Sequence, residues 1–362
     1  MRALLVFVLA ASTVLYSCRK SQTPKSNELD EPVDTTTYFY TPVSIGKGVV
    51  AGSVYKTNEF AAFTDLTFFD KAWFIVYRVG SNHVGGTDGV IKILKSTDTK
   101  TWQVDKTIAL NGLDLRDPKL EIDTYSNKLY LTFFSSEKTG KKLNYICEYK
   151  RAHQWTVPEQ MSSETDKGLN FLLWRLTYYK NKMFSVGYRF PISNDSTYKG
   201  GIELFESTKD FKQYKSLGNL EMAGVPTEAT VRFDENSIMY CISRTEKKNS
   251  PMGIAYPPYQ KMRWIEEAFL TRISSPNFLL YKKHFLITGR DGRTGILKFI
   301  SYDPKASKVE KVFSFPFAGK ETGYAGMCFN PSNPNELLIS YYSIEANGSS
   351  IFLARIDLSQ FL

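Results

Sequence analysis

From about residue 43 onward the chain alternates short runs rich in Tyr, Phe, Val and Ile with turn clusters, and it shows almost no helical periodicity. Such runs are what strands prefer, because branched and aromatic side chains pack well on a pleated, half-buried surface. Six segments share one plan: a polar opening residue, an alternating strand, a short turn, and a second apolar strand. They read FTDLTFFDKAWFIVYRVG from Phe63, LRDPKLEIDTYSNKLYLTFFS from Leu115, LWRLTYYKNKMFSVGYRF from Leu173, PTEATVRFDENSIMYCISRTE from Pro226, SPNFLLYKKHFLITGRDG from Ser275 and TGYAGMCFNPSNPNELLISYYS from Thr322. With Asp65, Asp117, Arg175, Glu228, Asn277 and Tyr324 as markers, the steps are 52, 58, 53, 49 and 47 residues. A four-stranded propeller blade takes about 40 to 50 residues, so the repeat fits blades with modest loops.

The rest of each unit agrees. Third strands are expected at 90–94, 143–149, 202–206, 253–256, 295–300 and 350–356, and fourth strands follow in the first five units, as at Lys311 to Phe315. The sixth unit ends at Leu362 one strand short. A strand from around Val43 to Val54 is expected to complete it, which would close the ring and remove exposed edges. Asn347-Gly348 reads as the hairpin turn of this last unit. The expected fold is all-β: a six-bladed β-propeller of four-stranded antiparallel blades, closed by an N-terminal strand.

That architecture gathers distant residues. The loop leading into each first strand and the loop leaving each second strand lie on one face of the ring, so polar groups at both places converge on one mouth. The leading positions are Asp65, Arg116-Asp117, Trp174-Arg175, Glu228, Asn277 and Tyr324. The leaving positions are Arg78, Tyr188-Arg189, Arg244, Arg290 and Tyr341-Tyr342, with His83 following Arg78. An arginine at a strand end is ordinarily just solvated. Charge at equivalent inner positions in repeat after repeat points instead to a ligand site, because unpaired buried charge is costly.

The N-terminus has a different character. Arg2 precedes an apolar run from Leu4 to Val14, too short for a permanent span and suited to a signal-peptide core. Leu15-Tyr16-Ser17-Cys18 resembles the lipobox of bacterial lipoproteins, which implies cleavage before Cys18 and lipidation there. Residues 18–37, rich in Ser, Thr, Pro, Lys and acids, read as a flexible tether to a propeller spanning 38–362. The expectation is an exported lipoprotein of the outer membrane, a monomer held by its lipid alone. The formal charge of +9 falls to +8 without Arg2, and the charges are scattered, which argues against nucleic acid and fits an anionic substrate or surface. Cys147, Cys241 and Cys328 lie in apolar strands and read as small buried hydrophobes. The histidines 83, 153 and 284 lack ligand spacing, so no metal is expected, and without a Gly-rich phosphate loop no cofactor is expected either.

Ser96-Thr97-Asp98-Thr99-Lys100-Thr101-Trp102 resembles the Asp-box turn of sialidase-like propellers, with Lys100 in place of its glycine, and Ser207 to Phe211 is a degraded second copy. Pro226-Thr227-Glu228-Ala229-Thr230-Val231, followed by Arg244, resembles the sialidase segment that supplies a glutamate and a carboxylate-binding arginine. Thr322-Gly323-Tyr324 is similar to the segment with the nucleophilic tyrosine, and Arg116-Asp117-Pro118 to the region with the acid/base aspartate. The resemblance to the sialidase superfamily implies Tyr324 as nucleophile, Glu228 as acceptor of its proton and Asp117 as acid/base. It implies Arg244 and Arg290, with Arg78 or Arg175, as grips on a substrate carboxylate, while Trp174 and Tyr342 would stack on sugar faces. One departure stands out. Sialidases open the first inner strand with a Phe-Arg-Ile-Pro-like motif, whereas this chain has Phe63-Thr64-Asp65-Leu66, a carboxylate that would repel an acidic sugar and is suited to pairing with an arginine. Arg116-Asp117-Pro118 is also similar to five-bladed invertase-like glycosidases, which the six units exclude. Two readings follow: a sialidase-like exo-glycosidase acting on terminal sugars of extracellular glycans, and a glycan-binding propeller that has lost hydrolysis.

Overall fold

A computed structural model describes residues 34–83, 86, 89–136, 142–151, 154–163, 171–189, 201–207, 211–316 and 319–362. The expected signal peptide, Cys18 and most of the expected tether lie outside the described residues. Among the described residues no helix is long and apolar enough to cross a membrane.

Six antiparallel sheets form a ring, a six-bladed β-propeller. From the axis outward, blade 1 contains Phe60–Phe69, Ala72–Gly80, Val90–Ser96 and Thr101–Ile108. Blade 2 begins with Asp114–Asp123, Lys128–Ser136 and Lys142–Lys150, blade 3 with Phe171–Tyr179 and Lys182–Arg189, and blade 4 with Pro226–Phe233 and Met239–Thr245. Blade 5 begins with Ile273–Tyr281 and His284–Asp291, blade 6 with Glu321–Asn330, Asn333–Glu345 and Gly348–Asp357. The strand expected to complete blade 6 is Val49–Thr57, which pairs with Gly348–Asp357, Leu353 facing Gly52. Closure therefore joins chain segments some three hundred residues apart. Short additions extend the outer edges: Thr37–Phe39 on blade 1 and Val43–Gly46 on blade 6. Asp34, placed in the tether by composition, already pairs with Lys92 of blade 1 at 3.3 Å.

Apolar faces of neighbouring sheets pack together. Phe74, Val76, Ile91 and Ile93 of blade 1 meet Leu120, Leu129, Leu131 and Phe133 of blade 2, each fully buried side chain contributing about 1.5–3 kcal/mol of hydrophobic stabilisation. Cys147 and Cys241 are buried, as small hydrophobes, whereas Cys328 is only half-buried. Around the axis the inner strands are stitched together by side chains. Thr64 Oγ1 donates to the Tyr324 carbonyl (2.8 Å), Thr177 Oγ1 to that of Val231 (2.8 Å), Thr230 Oγ1 to that of Pro276 (2.6 Å) and Asn277 Nδ2 to that of Ala325 (3.0 Å). Gly326 permits a close approach, since a Cβ there would sit 2.2 Å from the Leu66 nitrogen.

The Asp-box-like turn is tied as its residue types require. Asp98 Oδ1 accepts from the backbone nitrogens of Lys100 (2.7 Å) and Thr101 (2.8 Å), and Ser96 Oγ accepts from that of Thr99 (2.8 Å). Trp102 is fully buried and its Nε1 donates to the Thr99 carbonyl at 3.1 Å. The left-handed residue of the turn is Thr99, φ 60°, so Lys100 does not need the freedom of the glycine it replaces. The second copy, 207–211, lies largely outside the described residues.

The feature that shapes the mouth is a bulge repeated in every inner strand. Two residues oppose one on the neighbouring strand at Phe63-Thr64, Asp117-Pro118, Trp174-Arg175, Thr227-Glu228, Ser275-Pro276 and Tyr324-Ala325. Phe63, Asp117, Ser275 and Tyr324 adopt positive φ values of 62°, 47°, 49° and 48°. Non-glycine residues in this region are strained, and a bulge re-aims the side chain it carries. The ring thus spends backbone strain at the places where the candidate catalytic side chains stand.

Candidate functional site

Tyr324, Glu228 and Asp117 come together. The Tyr324 hydroxyl donates to Glu228 Oε1 at 2.8 Å, although 96 residues separate them. Arg244 NH1 donates to the same oxygen at 3.2 Å, and the Ser275 backbone nitrogen to Oε2 at 2.6 Å. Glu228 is 3% exposed and Tyr324 8%. Burial, reinforced by the Glu228 and Asp117 charges, pushes the Tyr324 phenol well above its ordinary range. A free phenolate is therefore disfavoured, and Tyr324 can react only if its proton moves to Glu228 as a bond forms. Burial also raises the Asp117 carboxyl; Lys119 and Arg116 oppose the rise, and Glu228 adds to it. Asp117 Oδ1 is buried with no hydrogen-bond partner among the described residues. A carboxyl whose proton affinity is raised and that has an unused oxygen has the properties of a general acid.

Aromatic rings bind the cluster into one unit. Phe63 lies 4.8 Å from Tyr324 and 5.1 Å from His83, ring centroid to centroid, and the Arg116 guanidinium sits 5.3 Å above Phe63. Trp174 packs 5.7 Å from Tyr324. Tyr188 feels the charges of Glu228 and Asp117, and burial raises its phenol well above its ordinary range.

Other expected site residues are held by protein partners. Asp65 and Arg175 form a buried ion pair at 2.8 Å, with the Leu120 nitrogen also on Asp65 Oδ2. Arg78, wholly buried, donates to Asp114 through Nε (3.0 Å) and NH2 (2.6 Å). Asn277 is committed to the Ala325 carbonyl and to Arg232, whose NH2 donates to its Oδ1 at 3.1 Å. Trp174 and Tyr342 are too buried to offer open ring faces for stacking.

Three residues emerge that sequence reasoning passed over. Glu321 gathers Arg290 NH1 (3.3 Å), the Tyr342 hydroxyl (2.6 Å) and His83 Nδ1 (2.9 Å). Burial works to raise its carboxyl, but the hydrogen bonds from His83 and Tyr342 and the charges of His83 and Arg290 outweigh it and hold the group below the usual range. Asp114 binds Arg78 and, at 3.3 Å, Arg116. Asp114 and Glu321 each stand three residues before Asp117 and Tyr324, and each takes an arginine that leaves the second strand of the preceding blade. That spacing was a usable signal. The third residue, Lys119, is 3% exposed and lies with Nζ 4.7 Å from the Trp174 ring centroid and 5.9 Å from that of Tyr324. Burial lowers its ammonium pKa to about 8, with Asp117 acting against the fall.

No protein-family profile matches the sequence, and no curated protein matches it in sequence. Similarity appears among solved structures. A Dyadobacter fermentans protein of unknown function superposes with a TM-score of 0.72 at 14% identity, covering 86% of this chain and 99% of that one. Trypanosoma rangeli sialidase in complex with sialic acid gives 0.63 at 12% identity over 92% of this chain; the chain spans only 59% of that sialidase's length. A Penicillium chrysogenum α-L-arabinanase complexed with arabinobiose gives 0.61 at 14% identity, over 91% of this chain and all of that one. At such identities the likeness defines a fold: a six-bladed propeller shared with glycoside hydrolases.

Proposed function

We propose that the protein is a sialidase-like exo-glycosidase acting on terminal sugars of extracellular glycans. The observation that carries this reading is the 2.8 Å hydrogen bond from Tyr324 to Glu228, with Arg244 on the same carboxylate. In the first step Asp117 gives its proton to the glycosidic oxygen while the Tyr324 oxygen bonds to the anomeric carbon. The phenolic proton passes to Glu228 as the bond to the leaving group breaks. In the second step water attacks the same carbon, Asp117 takes a proton from it, and Tyr324 departs and recovers its own proton from Glu228. Two displacements at one carbon retain its configuration. A phenol attacks an anionic sugar without the repulsion a carboxylate nucleophile would meet, as in the sialidase exception to the two-carboxylate rule.

Arg244, Arg290, Arg116 and His83, each paired with a carboxylate but more exposed than Arg78 and Arg175, meet the substrate, with Tyr188 beside them. Asp65, Arg78, Arg175 and Asn277 serve as struts that fix the axis. Terminal acidic sugars fit the surviving guanidinium groups, but Asp65 in place of the first-blade arginine favours an acid other than sialic acid. The same replacement favours the second reading, a propeller that binds glycans without hydrolysing them. We place the protein on the outer membrane, anchored through a lipid on Cys18. A hydrolysis screen over aryl glycosides and sialyl-lactose tests the proposal, with Tyr324→Phe and Asp117→Ala as controls. Turnover abolished in both variants supports it. Glycan affinity without turnover of any sugar would favour the binding reading, and turnover unchanged in both variants would remove the assigned roles.

A further inference from the structure

Lys119 belongs to none of the ion pairs around the axis. Its Nζ donates to the Pro118 carbonyl at 3.2 Å, and among the described residues no carboxylate oxygen lies within ion-pair distance. The ammonium also lies near two ring faces, 4.7 Å from the Trp174 centroid and 5.9 Å from that of Tyr324. The charged groups that face it come from four strands: Asp117 on its own, Asp65 of blade 1, Arg175 of blade 3 and Glu228 of blade 4. Asp65 and Arg175 neutralise each other, and Arg244 sits on Glu228. A buried ammonium is costly, and ring faces return only part of the cost. An uncharged side chain of the same length would pack here more favourably, so the charge opposes stability at the one place where it touches Tyr324.

We propose that Lys119 is a positioning residue whose charge, held behind the Tyr324 ring, favours the phenolate character that Tyr324 takes on when it attacks and when it departs. This deepens the glycosidase reading and rests on it. Lys119 keeps its own proton throughout; the bond formed joins the Tyr324 oxygen to the anomeric carbon, and the phenolic proton goes to Glu228. The size of the effect follows from Coulomb's law. Nζ lies 5.9 Å from the Tyr324 ring centroid, and a unit charge at about that distance, at an effective dielectric of about 20, changes a phenolate equilibrium by on the order of 100-fold.

The test needs a readout independent of substrate. In the full-length protein, 3-nitrotyrosine installed at position 324 reports its phenolate by visible absorbance, and the titration is repeated with Lys119→Met and Lys119→Arg. The expected result is a fall of about 100-fold in phenolate at fixed pH for Lys119→Met, recovered in Lys119→Arg, with Lys119→Met folding at least as stably as the parent. In parallel, kcat on the best aryl glycoside falls by a similar factor with KM little changed. A phenolate titration unmoved by Lys119→Met would overturn the inference even if Tyr324-dependent turnover stands. A shifted titration in a protein that turns over no glycoside would sustain the electrostatic coupling and sink the hydrolase reading instead. Loss of folding in Lys119→Met, with Lys119→Arg tolerated, would mark the charge as structural and refute the proposal.

Discussion

Removing the Asp65 carboxylate isolates a buried guanidinium. Arg175 is 5% exposed, its NH1 bonds Asp65 at 2.8 Å, and its Nε has no partner among the described residues. The gross attraction at that distance is about 6 kcal/mol at an effective dielectric of about 20, and desolvation of both ions offsets much of it. Breaking such a pair from one side leaves the other charge uncompensated, so Asp65→Ala is expected to cost about 4 kcal/mol. The loss of the Leu120 N–H acceptor is included in that figure. With an unfolding entropy of about 2.1 cal/mol/K per residue over roughly 330 residues, the midpoint should fall by about 6 °C. Asp65→Ala combined with Arg175→Met removes both charges and should lie within about 1 kcal/mol of the parent. Urea unfolding followed by tryptophan fluorescence, analysed as a double-mutant cycle, measures the coupling. A single variant losing less than about 1 kcal/mol, or a double variant worse than both singles, would refute the view that the pair is a strut. Asp65→Arg, which inserts the side chain of the sialidase motif, should destabilise more than Asp65→Ala, because it sets two buried guanidinium groups against each other.

Lys119 gives a pH dependence of defined sign. Its folded pKa, about 8, lies below the unfolded value of about 10.4, so the unfolded chain binds more protons between those limits. Stability should therefore rise with pH across that window relative to Lys119→Met, by up to about 3 kcal/mol; a difference flat from pH 7.5 to 9.5 would contradict the burial of this ammonium. Asp98 carries the same sign in a lower window. Backbone N–H bonds, that of Thr101 first, lower its carboxyl to about 2, so its contribution is complete above about pH 4 and lost as pH falls toward 2; Asp98 is exposed, and Asp98→Ala should cost only about 1 kcal/mol, measured by thermal unfolding at pH 7. Glu321→Gln keeps the hydrogen-bonding shape but removes the carboxylate charge beside Arg290, and should raise KM for an acidic glycoside about tenfold, read by steady-state kinetics.

Much of the fold could be read from the chain because each blade repeats one local rule. Blade count, inner strands and the closing N-terminal strand all followed from apolar alternation and spacing. The bulges did not, although the chain held hints. Pro118 and Pro276 sit inside strands, where proline is tolerated mainly at bulges or edges, and both occupy the second bulge position. The convergence of Asp117, Glu228 and Tyr324 was legible because propeller geometry brings equivalent positions to one mouth. What each charge pairs with was not. Asp65 and Arg175 are 110 residues apart, and alternation alone does not say whether an inward charge meets solvent, substrate or a partner. Nothing in the alternation marks Lys119; ring closure is what sets Trp174 and Tyr324 beside it.

The most direct measurement is the identity of the atom that attacks the sugar. The full-length protein is quenched in acid during turnover of its best aryl glycoside, digested, and mapped by mass spectrometry. The account predicts a glycosyl adduct on the peptide bearing Tyr324, absent in Tyr324→Phe. An adduct on another side chain, or undiminished hydrolysis by Tyr324→Phe, would contradict it.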